Sequence, residues 1–494
     1  MPDADKVRAA LQACPFVVVS DVIKTGDTVA LADVRLPATA WGEKSGTVTN
    51  SERRISRQRS FLRPPGDARH DWDIISDVAR RMGYPGFEYA SPSEIFREHA
   101  ALSDFENTGA RDFDIGAYAG VDAAAYDDLQ PFQWPAPKSE TRAGETQNEQ
   151  HRFFQDGRFY TADKKARFLE TVPRGPANAP TENHPFILNT GRIRDHWHTM
   201  TRTAKTPRLS QHIAEPFLEI HPADAADLGL SPAALATAKS AYGEGLFRVQ
   251  ISRRVRQGEV FAPMHWTSRY AAAGRIDALA NPETDPASGQ PELKHTPISL
   301  SAFSAKWFGL LAVIEEPDLS NAPISYWAKA RIEGGWRVEL AGGRDDADIE
   351  EIAARLTDLQ PNAEILEYAD TKTGALRRAA FIDGKLAAVF VGSNRPVAAE
   401  RAWLAEQIGK PVDSNARLCL LAGRPPVGEG VGRAVCACMG VGATAIETAI
   451  RQGANSVEAI GAVTRAGTNC GSCKPEIRDM LNAIAAEQVK EAAE

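Results

Sequence analysis

No apolar run in this chain approaches the roughly 18 residues that a membrane-spanning helix needs. The first residues, Met1-Pro-Asp-Ala-Asp, carry neither a basic start nor an apolar segment of the secretory kind. The longest apolar stretches, 308–314 and 386–391, have the length of buried strands. These absences lead to the expectation of a soluble, cytoplasmic protein with no membrane association. An excess of positive charge is also missing: 57 Lys and Arg stand against 65 Asp and Glu, a formal net charge of −8. That balance removes the general electrostatic reason for nucleic-acid or acidic-membrane binding. Cysteine is scarce, six in 494 residues, while 43% apolar and 25% charged residues are ordinary for a folded protein. The length exceeds what one core supports and suggests about three domains.

Four of the six cysteines fall in one short segment, as Cys436-Ala-Cys438 and Cys470-Gly-Ser-Cys473. Each pair brings two sulfurs within reach of one metal ion, and a cytoplasmic chain cannot rely on disulfides to hold them otherwise. Gly440, Gly442, Gly467 and Gly471 allow tight turns that aim backbone N–H groups at sulfur. Between the pairs, Ala445, Ile446, Ala449 and Ile450 form one helical face that stops at Gly453. Ser456 caps a second helix with Val457, Ile460 and Val463, and a third carries Ile477, Leu481 and Ile484. Four cysteines suit zinc or an iron–sulfur cluster. The CxC arm with a long helical insert is unusual for zinc and resembles the bacterioferritin-associated-ferredoxin family over residues 429–487, which implies a helix-turn-helix domain with a [2Fe–2S] cluster on Cys436, Cys438, Cys470 and Cys473. Cys14 and Cys419 sit beside apolar residues and read as core thiols.

At the start of the chain, residues 6–13 read as the end of a helix and 16–19 as a fully apolar strand ending in Ser20-Asp21. Ligands of α/β sheets bind beyond the carboxyl ends of strands, although a Ser-Asp turn needs no ligand. A second strand over 32–36 leads into residues 41–54, where glycine, hydroxyl and guanidinium groups alternate without a hydrophobic period and predict a polar contact loop. Residues 71–81 predict a helix with Trp72, Ile75, Val78 and Ala79 inward. Residues 91–180 read as an extended connection, with a surface linker at 140–150 and a β-turn-β entry at 151–168.

A strand over 184–188 runs into Asn189-Thr190-Gly191-Arg192, then Asp195-His196-Trp197-His198, the densest gathering of His, Arg and Thr in the chain. Hydroxyls and guanidinium groups suit pyrophosphate, and an aromatic between imidazoles suits a flat heterocycle. A His-x-His metal pair and a purely structural loop remain the alternatives. Strands near 216–221, 236–241, 246–251 and 258–263, with a short helix at 222–228, predict a barrel. Residues 306–428 predict a small α+β module with strands at 335–340, 363–368, 376–382 and 385–391 and helices at 349–356 and 397–408. Residues 424–432 read as a flexible hinge.

The stretch ADVRLPATAWGEKSGTVTNSERR at 32–54, PPGDARHDW at 64–72 and GRIDALANPETDPASGQPELKHTPISL at 274–300 resemble the molybdopterin-guanine-dinucleotide oxidoreductases, and within them the bacterial assimilatory nitrate reductases. The resemblance implies an α/β plus β architecture: a partial α/β molybdopterin oxidoreductase domain at 1–90, the connection at 91–180, a double-psi β-barrel binding the dinucleotide at 181–305, the α+β module at 306–428 and an all-α [2Fe–2S] domain at 429–494. It further implies that Ser20, Asp21, Lys44 and Asp71 contact one guanine dinucleotide of a Mo-bis-MGD cofactor, Asp71 reading the guanine edge, and that Trp266, Asp277 and Lys294 contact the pterin cofactor. Asp277 departs from the asparagine more familiar there.

The family's [4Fe–4S] motif and its molybdenum ligand are not found in this sequence, so no residue is nominated as catalytic. The resemblance implies nitrate as substrate of a complete enzyme and a ferredoxin, flavodoxin or NADH-linked donor; one reading is a split or truncated catalytic polypeptide that works with a separately encoded N-terminal half. A standalone electron-transfer or cofactor-binding protein and an inactive remnant remain the alternatives.

Overall fold

The computed structural model describes residues 1–138, 152–170, 172–319, 321–426, 430 and 432–491. The predicted linker at 140–150 and part of the predicted hinge at 424–432 lie outside them. Two compact units form, Cys14–Arg174 and Met1–Ala13 with Gly175–Glu494.

In the first unit, strand β1 (Val18–Asp21) pairs in parallel with β2 (Val34–Pro37). The expected strand at 16–19 begins two residues late because the Val17 N–H is taken by the Asp33 carboxylate at 2.8 Å. Nor is it buried: Phe16 and Val18 are 63% and 48% exposed, since among the described residues their sheet has only two strands. The polar stretch 41–54 is not a loop throughout. Its β-branched Thr47, Val48, Thr49 and Ile55 favour extended backbone, and β3 (Gly46–Thr49) forms a hairpin with β4 (Arg54–Gln58), closed by Asn50 accepting from the Glu52 and Arg54 N–H groups.

The helix Asp71–Arg81 has the predicted bounds, but Ile74, Ser76 and Ala79 are its buried residues, while Ile75 and Val78 face outward. Residues 91–138 are not an extended connection. Helices Pro92–Asp104 and Ala123–Asp127 and strand β5 (Phe132–Gln133), which pairs with β4, enclose a core of Ile55, Phe96, Ala100, Ile115, Tyr126 and Phe132. Aromatic packing drives it, with Phe96 and Tyr126 centroids 5.3 Å apart. No strand forms at 152–168, against the β-turn-β expectation. Cys14, expected in a core, is exposed.

The second unit contains a closed barrel of β6 (Phe186–Gly191), β7 (Phe217–Ile220), β8 (Leu235–Lys239), β9 (Glu244–Ile251), β10 (Glu259–Pro263) and β11 (Thr296–Ala302), in spatial order β10-β6-β11-β8-β9-β7. Pairs β6/β10 and β7/β9 are parallel and the rest antiparallel. Leu188, Leu218, Ile220, Phe247, Val260 and Ile298 fill its interior. The helix Ala4–Ala13 packs beside the 276–278 turn, anchored by the Asp3 N–H to the Ala280 carbonyl at 3.0 Å.

An all-antiparallel sheet follows, made of β12 (Trp307–Val313), β13 (Tyr326–Ile332), β14 (Gly335–Gly342), β15 (Glu364–Asp370), β16 (Ala375–Ile382) and β17 (Lys385–Ser393), in order β13-β14-β12-β17-β16-β15. Every residue of β12 is buried because both faces are covered. Ile352 and Leu356 of helix Ile349–Thr357 pack with Leu311 and Leu340 on one side. Leu404 of helix Arg401–Gln407 and Leu420 of helix Ser414–Ala422 join Leu310 and Val389 on the other. The α+β expectation holds, with β13 and the last helix unforeseen. The β13–β14 hairpin brings Gly335 against β12: an added Cβ would lie 2.1 Å from the Val313 carbonyl oxygen. Gly335→Ala is therefore expected to cost about 1–3 kcal/mol, the usual penalty of overpacking, read as a lower denaturation midpoint.

The cysteine segment is not all helix. Strands β18 (Ala434–Cys436) and β19 (Val441–Gly442) form a small hairpin around the first pair. Helices Ala443–Arg451, Val457–Thr464 and Lys474–Glu491 follow. Ser456 caps the second helix by accepting from the Ala459 N–H at 3.1 Å. Val463, expected on its apolar face, is exposed. Among the described residues no helix is long and apolar enough to cross a membrane.

Candidate functional site

In the first unit the fold brings together three of its four nominated residues. Asp71, at the first turn of its helix, accepts from Lys44 Nζ at 2.5 Å and from Ser20 Oγ at 3.4 Å. Ser20 arrives from the end of β1 and Lys44 from the turn before β3. The Asp71 carboxylate stays half exposed, so it can accept from a further donor such as a guanine N–H edge. Asp21 turns instead to its own backbone, accepting from the Ile23 N–H at 3.2 Å.

In the second unit, Thr190 and Gly191 close β6 at the barrel rim. Thr190 is buried, its hydroxyl donates to the Leu293 carbonyl at 2.7 Å, and its own carbonyl accepts from Lys294 Nζ. Gly191 is held so close to Phe261 that a Cβ would come within 2.7 Å of the ring. Arg192 is exposed. His196 is buried between the Thr203 hydroxyl and the Ile213 carbonyl, both at 3.2 Å, and burial lowers its pKa to about 4, so the ring is neutral. With both ring nitrogens engaged, His196 is unsuited to a His-x-His metal pair. Trp266 is 4% exposed and meets His196 edge-on at 5.4 Å. Trp197, with His198 at 4.6 Å and Arg202 over its ring at 5.2 Å, is the exposed aromatic of the loop. Asp277 sits in the 276–278 turn and pairs with the Met1 ammonium at 2.7 Å.

Spacing gave no sign of the residues that hold this loop. His265, fully buried, accepts from the Ile193 N–H at 3.0 Å and donates to the His198 carbonyl at 2.6 Å, pinning both ends of residues 193–198. Arg194 donates through Nη2 to His212 Nε2 at 2.8 Å, and His212 Nδ1 donates to Asp195. Burial raises the Asp195 carboxyl, but His212 and Arg194 outweigh it and leave its pKa below the ordinary value.

The four cysteines converge although 31 residues separate the pairs. Cys436 and Cys438 sulfurs are 3.7 Å apart, Cys438 and Cys470 3.6 Å, and Cys473 contacts Cys436. Two thiolates sharing one tetrahedral metal at about 2.3 Å stand about 3.7 Å apart. Among the described residues no three His, Cys, Asp or Glu side chains surround a single ion position; the cysteine contacts run as a chain from Cys473 through Cys436 and Cys438 to Cys470. All four line one cavity of about 290 Å³. Burial raises the Cys436 thiol, yet N–H donation from Gly467 and Met439 brings it below its ordinary pKa. Burial and the neighbouring Cys436 push Cys473 up to about 11. Gly467 adopts φ +76, which turns its N–H toward these sulfurs at little conformational cost. Four convergent thiols, preset N–H donors and a cavity fit a thiolate-held iron–sulfur cluster.

This segment is seated on the barrel. Arg194 donates to the Val435 carbonyl at 2.6 Å and Arg208 to the Cys438 carbonyl at 3.1 Å, while Arg254 pairs with Asp479. A second cavity of about 770 Å³, lined by Arg192, Arg194, Phe261 and Arg433 among others, opens between the two.

Comparison with known proteins gives three matched segments. Residues 1–81 match the molybdopterin oxidoreductase family, residues 186–297 the molydopterin dinucleotide binding domain and residues 434–483 the BFD-like [2Fe-2S] binding domain. A nitrate reductase of Klebsiella oxytoca is 39% identical over 99% of this chain and 54% of its own length. The assimilatory nitrate reductase catalytic subunit of Bacillus subtilis is 32% identical over 59% of this chain and 39% of its own. The F420-dependent formate dehydrogenase subunit alpha of Methanocaldococcus jannaschii is 33% identical over 59% and 40%. The chain thus spans about half the length, or less, of these curated relatives. One polypeptide thus joins a segment matching the molybdopterin oxidoreductase family, a closed barrel matching the molydopterin dinucleotide binding domain and a segment matching the BFD-like [2Fe-2S] binding domain.

Proposed function

We propose that this chain is the dinucleotide-binding and electron-entry part of a bacterial assimilatory nitrate reductase, acting in the cytoplasm. The observation that carries the reading is the docking of the four-cysteine segment on the loop after β6 through Arg194 and Arg208. It puts a candidate electron carrier beside a candidate nucleotide site within one unit. Similarity to a nitrate reductase over nearly the whole chain favours nitrate, whereas the 32% and 33% matches alone do not separate nitrate from formate. The two-stranded parallel sheet of β1 and β2, with Phe16, Val18 and Val34 exposed, supports its being covered by further parts of the enzyme, because parallel sheets are ordinarily covered on both faces. The barrel is read as the double-psi type, an assignment supported by its two parallel pairs.

Bound molybdenum pterin supplies the two-electron oxygen chemistry that turns nitrate into nitrite, and the cluster supplies single-electron transfer from a ferredoxin, flavodoxin or NADH-linked donor. This chain's residues bind and orient. Ser20, Asp21, Lys44 and Asp71 hold one guanine dinucleotide. Thr190, Gly191, Arg192, Trp197, His198 and Lys294 meet the cofactor at the barrel rim, where His196 and Trp266 pack behind the loop that presents them. Asp277 is assigned a cofactor contact too, once its Met1 pairing opens.

In the complete enzyme the dinucleotide is expected to be retained through purification, measured as guanine dinucleotide after acid release. Arg192→Gln and Lys294→Met each remove one charge-assisted bond of about 1.5–3 kcal/mol and are expected to lower affinity at least tenfold. Unchanged retention in both variants would remove the barrel site from the proposal. A chain that holds its cluster but no dinucleotide in any complex would be a standalone electron carrier.

A further inference from the structure

Arg194, in the loop after β6, reaches into the cysteine segment. Arg194 is about four-fifths buried and is held from several sides: Nε lies 3.2 Å from Asp195, and Nη2 contacts His212 Nε2 at 2.8 Å, the Val435 carbonyl at 2.6 Å and Glu476 at 3.3 Å. Val435 is the residue before Cys436, and Glu476 lies three residues beyond Cys473. Arg194, Asp195 and all four cysteines line the same cavity of about 290 Å³. Reducing a thiolate-bound iron–sulfur cluster adds one negative charge, and local charge, hydrogen bonding and solvent access set how readily that happens. In a site screened from water a fixed guanidinium acts more strongly than it would at the surface.

We propose that Arg194 sets the reduction potential of the cluster in this chain, favouring the reduced form. The inference rests on the cluster reading above. Its sign follows from the surroundings. Asp195 lines the cysteine cavity with Arg194, Glu476 lines the adjoining one three residues beyond Cys473, and Arg194 pairs with both carboxylates. Removing it takes a buried positive charge from beside the sulfurs while Asp195 and Glu476 keep their negative charge there, which disfavours the added electron. Arg433, which also pairs with Glu476, is 60% exposed and more strongly screened. Arg194 is a positioning residue in this scheme, since it touches the carbonyl before Cys436 and no reacting atom is required of it.

The test is a mediated redox titration of the purified full chain, followed by the spectrum of the cluster. Arg194→Gln is expected to shift the oxidised-to-reduced ratio at fixed potential about tenfold toward oxidised, equivalent to about 59 mV for one electron. Glu476→Gln is expected to move it the other way. Arg254→Gln breaks the exposed Arg254–Asp479 docking pair and is expected to leave the potential unchanged. Opposite shifts from the Arg194 and Glu476 variants separate electrostatics from loosened packing, which would move both the same way. An unchanged potential in Arg194→Gln, equal shifts in Arg194→Gln and Arg254→Gln, or shifts of one sign in the Arg194 and Glu476 variants would overturn the proposal. A wild-type chain without iron and acid-labile sulfide would instead refute the cluster itself.

Discussion

Cys436→Ser is expected to yield a colourless chain, with iron, acid-labile sulfide and charge-transfer absorption all lost, while Cys419→Ser keeps them at wild-type levels. The contrast follows from position. Cys436 is 1% exposed, central in the sulfur chain through its contacts to Cys438 and Cys473, and served by the Gly467 and Met439 N–H groups. Serine at this position keeps the volume but supplies a hydroxyl whose proton is not given up as a thiol's is, so one iron ligand is lost and the buried donors face a weaker acceptor. Cys419 packs against the sheet module and takes no part in the cluster. Metal analysis of the purified chain decides the matter. Two irons and two sulfides per wild-type chain are expected, and one zinc without sulfide would reverse the assignment.

The second large effect is expected far from any cofactor. Glu339 on β14 is 1% exposed and receives Arg401 through two bonds, at 2.7 and 3.1 Å, with Arg337 at 3.7 Å. Beside it Glu215 joins Arg248 of β9 at 2.9 Å and Tyr326 of β13 at 2.7 Å, so a buried ionic network ties the barrel to the sheet. Glu339→Gln leaves guanidinium groups without their carboxylate, a change that costs about 3–5 kcal/mol when the pair is buried. A fall of about 10 °C in the transition temperature is expected.

The pH dependence has a definite sign. Burial raises the Glu339 carboxyl, but Arg401 and Arg337 outweigh it and lower its pKa from 4.5 to about 2. The unfolded chain therefore binds the proton first as pH falls, and the contribution of Glu339, complete above about pH 5, is lost as pH drops toward 2. The gap between wild type and Glu339→Gln should narrow over that window. A gap that stays constant from pH 6 to pH 3 would mean that Glu339 is stabilising by packing alone.

Much of the architecture was legible because it is local. Helix Asp71–Arg81 has the predicted bounds, with acidic residues in its first turn and Arg80 and Arg81 in its last. Ser456 caps where expected, and most barrel strands fall within two residues of their predicted limits. Local pattern failed where burial depends on a neighbour. Ile75 and Val78 form an apolar stripe but face outward, and the Gly- and Pro-rich 91–138 stretch folds around aromatics that no helical period connects. The turn at Asn50 made a hairpin from a segment that reads as a loop. In the first candidate site only the fold shows that Ser20 and Lys44 both reach the Asp71 carboxylate.

By itself, then, the sequence determined the local settings: four cysteines at CxC and CxxC spacing, glycines that free the backbone beside them, helices that begin and end at readable signals, and motifs that fit one dinucleotide family. Tertiary structure alone decided which charges face which groups. Arg194 and Val435 are 241 residues apart along the chain, and Arg401 and Glu339 are 62 apart. Electrostatic interaction depends on distance through space and on exclusion of water, neither of which any periodicity along the sequence records.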